Sequence, residues 1–237
     1  MKHELCWVIA MAACSHPTTT APAVSDDDEA EEATGEDESD QLPTVTATPT
    51  TTPRAALLAE ANRELAAMRS SHYEHHTHVD EAAGLFDYDC SGFVGYALAR
   101  SAPEAWGPIV AMHRRPLAKH FEAFFTAPQG PWTRVTDPSA IVAGDVIAWL
   151  EPPEKHSRNT GHIVIVAGPP HARGDELVIP VIDSSHSGHG HADARNREHR
   201  NGLGTGELVL HGLDGYRWST AKHSRLYHTE IAIGHLR

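Results

Sequence analysis

The chain has 237 residues and a formal net charge of −13 at pH 7, a length that suits one ordinary domain with tails. Ten of its acidic residues fall between Asp26 and Asp40, and without them the charge of −13 becomes −3. The acidity therefore belongs to one segment, and with no basic stripe interleaved with aromatics the composition excludes a nucleic-acid partner.

Residues 1–14 carry Lys2 and then a short apolar run. It is far below the roughly 20 residues that span a bilayer, and it predicts a signal peptide. Its end, Met11-Ala12-Ala13-Cys14, resembles the lipobox of bacterial lipoproteins. The resemblance implies cleavage before Cys14, lipid attached to Cys14, and a membrane as partner through that anchor, in a bacterial cell envelope. Residues 15–53 are rich in Thr, Pro, Ala, Asp and Glu. So few large apolar side chains cannot offset the entropy of ordering, which predicts a disordered, extended tether.

A single domain is expected over residues 54–237. Arg54 to Arg69 reads as a helix, with Ala55, Leu57, Leu58, Ala61, Leu65 and Met68 on one face and Pro53 placed to start it. Ser70 to Gly84 reads as a loop. Asp89 and Ser91 are helix-start residues, and the apolar run beyond them predicts a helix to Arg100. Pro116 to Phe125 predicts another. From Trp132 the pattern turns to strands. Val142 to Asp145 is a turn into a strand over Val146 to Leu150, and a loop over Pro152 to Thr160 follows. His162 to Ala167 and Leu177 to Asp183 are the next two strands. Pro180 inside the latter predicts an edge position or a bulge. Residues 184–206 read as a long loop, and Glu207 to Leu210, Gly215 to Trp218 and Glu230 to Ile233 as later strands. Helices followed by antiparallel strands predict the α+β class.

The stretch Phe86 to Tyr96 centres on Cys90, the one cysteine beyond the leader, so the domain forms no internal disulfide. At the first turn of a helix, unpaired N–H groups and the dipole favour a thiolate. The same groups can hold an oxyanion.

Three pieces follow in order: Asp89-Cys90-Ser91-Gly92-Phe93, Gly144-Asp145-Val146-Ile147-Ala148-Trp149 and Gly161-His162-Ile163-Val164-Ile165-Val166. Together they resemble the NlpC/P60 family of cysteine peptidases, in the papain-like group. The resemblance implies that a helix bearing the nucleophile packs on an antiparallel sheet. It also implies that Cys90 is the nucleophile, His162 the base and Asp183 the orienting third member, with His186 as the competitor for that place. Tyr73, Asp89 and Ser91 match substrate-binding positions. The family's Gly-Gly after the tyrosine is replaced by Glu74-His75-His76-Thr77-His78-Val79-Asp80. The implied substrate is a peptidoglycan stem peptide, with no cofactor and no metal.

Three other readings compete. The histidine clusters His75, His76, His78 and His186, His189, His191 suggest a metal, yet neither H-E-x-x-H nor C-x-x-C is present. The stretch Val142 to Trp149 also fits a CHAP-type N-acetylmuramoyl-L-alanine amidase. A catalytically silent wall-binding lipoprotein would keep Cys90 and His162 as core residues only.

Overall fold

The computed structural model describes residues 51–155, 159–189, 193–218 and 225–237. The expected leader, Cys14 and the tether lie outside the described residues, apart from the tether's last three positions, and so does His191.

Five helices and an antiparallel sheet make the domain α+β. Helix α1 (Pro53–Ala67) is capped by the Thr52 side chain and has Pro53 in its first turn. Its buried face is Leu57, Ala61 and, unexpectedly, Glu64, whose carboxyl accepts a 2.6 Å hydrogen bond from the Tyr88 hydroxyl. The segment read as a loop after it carries strand β1 (His78–Asp80), which pairs with β2 (Leu85–Asp87). Helix α2 (Cys90–Ser101) follows directly. Helix α3 (Pro103–Met112) occupies a stretch to which the sequence assigned no element; Pro103 sits in its first turn, where no N–H is needed. Helix α4 (Ala118–Thr126) completes this layer.

The remaining strands are β3 (Trp132–Arg134), β4 (Val146–Trp149), β5 (His162–Val166), β6 (His171–Arg173) and β7 (Glu176–Ser185). After helix α5 (Ala194–Glu198) come β8 (Gly202–Leu210), β9 (Gly215–Trp218), β10 (Tyr227–His228) and β11 (Ile231–Leu236). Their order is β10-β9-β8-β7-β5-β4-β11-β3, with β6 on β7.

Two sequence expectations fail here. Strand β7 is central, between β5 and β8, although it contains Pro180. The proline is tolerated because its carbonyl faces the β5 side, where it accepts from Ala167 N–H. Its missing donor therefore falls where β7's partner changes from β5, paired at Val181 and Ile182, to β6, paired at Glu176 to Val178. The long loop of 184–206 also shrinks, since β7 runs on to Ser185 and β8 begins at Gly202.

Each face of the sheet has its own core. Ile163, Ile165, Ile182 and Leu203 pack with Phe93, Val94, Leu98, Phe121 and Phe125 of the helices. On the other face Trp149, Val164, Val166, Val181, Leu208 and Tyr216 pack with no helical residue. Trp149 and Tyr216 have ring centroids 4.7 Å apart, although β8, β7 and β5 lie between their strands. In a flat sheet four strand spacings would separate them by about 19 Å, so the sheet curls until its second face closes on itself.

Candidate active site

Cys90 is the first residue of α2 and only 4% exposed. Asp89 caps the helix: its Oδ1 accepts from Gly92 N–H at 2.7 Å and from the Ser91 hydroxyl at 2.8 Å. This leaves the Cys90 and Ser91 N–H groups at the start of the helix, outside its ladder. The strand bearing His162 is brought close by Gly161, whose φ is +129°. A Cβ there would lie 1.9 Å from the Trp149 carbonyl oxygen, so only glycine lets β5 begin against the end of β4. Asp145, in the turn before β4, is buried, and its Oδ2 accepts from Val142 N–H at 2.9 Å. Its role is to close that turn.

Along β5 and β7, side chains alternate between faces. His162 and Asp183 therefore share the face of Val164 and Val181, and Ser184 points to the helices, where its hydroxyl donates to the Tyr88 carbonyl at 2.6 Å. His162 Nε2 lies 2.6 Å from Asp183 Oδ2. Cys90 lies beside His162 and Tyr73, close enough to influence both side chains. The structure thus brings together Cys90, His162, Asp183 and Tyr73. His186 stands apart, exposed, with its ring 3.9 Å from that of Tyr73.

Three groups here were not singled out in this role from the sequence. Asp183, fully buried, also meets His189 Nε2 at 2.9 Å through Oδ2 and Arg195 Nη2 at 2.7 Å through Oδ1. Arg195 is 1% exposed and is held in turn by Asp193, at 2.9 Å. His189 stacks on Trp218 at 3.4 Å and 7°. The signal that could have found them is Gly202-Leu203-Gly204-Thr205-Gly206 in β8. A Cβ at Gly204 would meet Arg195 Nε at 2.5 Å, and one at Gly206 would meet His189 Cβ at 2.6 Å. Alternate glycines leave one face of the strand bare, and Arg195 and His189 lie against it.

Burial pushes the His162 imidazolium down, but its interactions with Cys90 and the Asp183 hydrogen bond outweigh it and raise the ring to about 10. Burial also pushes the Asp183 carboxyl up, and Arg195 with the two histidines overcomes this, holding it well below the usual range. His189 is lowered, chiefly by burial.

Among the described residues, His162, Asp183 and His189 form the one group placed to hold a metal. Tetrahedral ligands about 2.0–2.1 Å from zinc stand about 3.3 Å apart. The two Nε2–Oδ2 distances of 2.6 and 2.9 Å are hydrogen bonds instead, and a buried guanidinium already neutralises the carboxylate. The donor set does not fit a resident dication.

Asp89 Oδ2 is paired with Arg115 Nη2 at 2.6 Å. Arg115 also donates to the His75 carbonyl, tying the 70s segment to the start of α2. A cavity of about 290 Å³ opens over Cys90, walled by Tyr73, Asp89, Ser91 and Arg115. It shares Ser91 and Arg115 with a cavity of about 530 Å³ that extends to Trp106, and Tyr73 and Gly161 with one of about 180 Å³ beside His162. The three cavities are neighbours, and the one of about 290 Å³ is lined by the thiol.

No protein-family model matches this chain, and neither a curated protein nor a solved structure does.

Proposed function

We propose that this chain is a papain-like cysteine hydrolase of the NlpC/P60 type, cutting amide bonds in peptidoglycan stem peptides at the cell envelope. The observation that carries the reading is the unbroken line Cys90–His162–Asp183, with the thiol at a helix start and on the floor of an open groove. A thiolate held by an imidazolium is a nucleophile at neutral pH.

In this reading Cys90 Sγ attacks the carbonyl carbon, and the N–H groups at the start of α2 receive the oxyanion. His162 gives its proton to the leaving amine, and a thioester remains on Cys90. His162 then takes a proton from water as it attacks the thioester, which releases the acid and returns the proton to the pair. Asp183 keeps the imidazole turned and its charge compensated. The extended groove suits a chain-like ligand, and the pairing of Asp89 with Arg115 leaves that wall without free negative charge.

The full chain is incubated with defined muropeptides, and products are identified by mass. Cleavage between two amino acids, lost in Cys90→Ala, is the expected result. Cleavage at the sugar–peptide bond would assign the CHAP-type activity instead. Turnover that persists in Cys90→Ala would refute the covalent mechanism, and an inert Cys90 with no product would leave the silent wall-binding reading.

A further inference from the structure

Asp183 Oδ2 is shared by two imidazoles, and only one of them reaches the thiol. The other, His189, is 5% exposed. Its ring lies flat on Trp218 and edge-on to His162, with centroids 5.6 Å apart and planes at 77°. Its main chain is clamped on both sides: its N–H donates to Asp193 Oδ2 at 2.6 Å, and its carbonyl accepts from Glu207 N–H at 3.0 Å. Gly206 leaves the space it occupies. A polar ring built in this firmly, with its Nε2 aimed at one carboxylate oxygen, has more than a space-filling task.

We infer that His189 is a positioning residue: from its stack on Trp218 it donates Nε2–H to Asp183 Oδ2, fixing the oxygen that orients His162. The inference rests on reading Cys90 and His162 as nucleophile and base. The carboxylate plane is then set by three donors from three elements, His162 on β5, Arg195 on α5, and His189 between β7 and α5. With Arg195 alone on Oδ1, Oδ2 could swing with His162; the second donor removes that freedom. Because Oδ2 only accepts, both Nε2 atoms must carry hydrogen. This fixes the tautomer of His162, so that Nδ1 is the atom exchanging a proton with Cys90. The charged groups facing His189 are Asp183, His162, Arg195 and Asp193, while Trp218 on β9 is uncharged. Two cations and burial keep the His189 ring neutral against the pull of Asp183, so it orients the carboxylate without competing with His162 for its charge.

The test needs no knowledge of the substrate. The full-length chain is alkylated with iodoacetamide across a pH series, and modification of Cys90 is followed by peptide-resolved mass spectrometry, which separates it from Cys6 and Cys14. His189→Phe keeps a flat ring for Trp218 and loses the donor. It should slow Cys90 alkylation at neutral pH about fivefold, the size of one buried hydrogen bond. His189→Gln keeps an N–H donor and should recover most of the rate. In the unaltered chain, nitrogen-15 NMR should find His189 neutral with hydrogen on Nε2, a readout that holds even if the Phe variant does not fold. Equal rates in the Phe and Gln variants, fast or slow, or hydrogen on Nδ1, would overturn the inference. A wild-type Cys90 no more reactive than a simple thiol overturns the hydrolase reading and this inference with it. A reactive Cys90 indifferent to His189 overturns the inference alone.

Discussion

The sharpest test of the site is Asp183→Asn, which keeps the shape and removes the charge. The rise of His162 from 6.5 to about 10 corresponds to about 5 kcal/mol in favour of the charged ring, at about 1.4 kcal/mol per pH unit. Cys90 and Asp183 supply that preference against burial. A hydrogen bond to a charged group is worth about 1.5–3 kcal/mol, and a loss of about 2 kcal/mol predicts a fall in kcat/KM of about 30-fold. Asn is a better probe than Ala. Ala would leave Arg195 Nη2 and two imidazole N–H groups facing a hole, and breaking a buried pair in that way costs about 3–5 kcal/mol of stability. In Asp183→Asn, Arg195 keeps Asp193, and the amide oxygen still accepts on one side. The comparison is His186→Ala, exposed and without a bond to His162, which should stay within about threefold. Kinetics on one muropeptide, with folding checked by thermal melting, decide the matter. If Asp183→Asn stays within twofold while His186→Ala loses tenfold, the orienting residue is misassigned.

Three further substitutions probe the frame. Burial pushes the Glu64 carboxyl up to about 8 although the Tyr88 hydrogen bond pulls it down. The folded chain therefore keeps a proton that the unfolded chain releases, and this group's stability is full below about pH 4.5 and lost as pH rises through about 8. Glu64→Gln should flatten the fall of Tm between pH 5 and 9, and an unchanged slope would refute the shift. Gly206→Ala should cost about 1–3 kcal/mol, because its Cβ would meet His189 main-chain and Cβ atoms at 2.6–2.8 Å. Gly107→Ala in α3, where nothing lies within 4 Å, should gain up to about 1 kcal/mol. Urea melts that rank the two variants the other way would contradict the packing described for β8.

The parts legible in the sequence are those whose cause is local. The start of α2 at Cys90 follows from the Asp89 cap, and the start of β5 from Gly161. Asp183 was separable from His186 because strand alternation is a local rule. The parts that stayed hidden depend on distant partners. Pro180 read as an edge signal because the residue alone cannot reveal that its neighbour strand changes beside it. His189 and Arg195 sat in what read as loop, since the surface that receives them is made of glycines further along the chain, Gly206 and Gly204.

That hidden half explains why an aspartate can serve at this position at all. A carboxylate with no exposed surface would take up a proton unless its charge were met, and a protonated Asp183 could not favour an imidazolium at His162. Arg195 supplies the missing charge, but a buried guanidinium is itself costly to leave with one partner. Asp193 provides the second, and its own carboxylate also holds the His189 N–H. The side chains thus line up from the groove inward as Cys90, His162, Asp183, Arg195 and Asp193, and Asp183 keeps its charge because Arg195 and the two histidines outweigh its burial. Asp193 and Arg195 are therefore part of the same hydrogen-bonded network as Asp183 and His162.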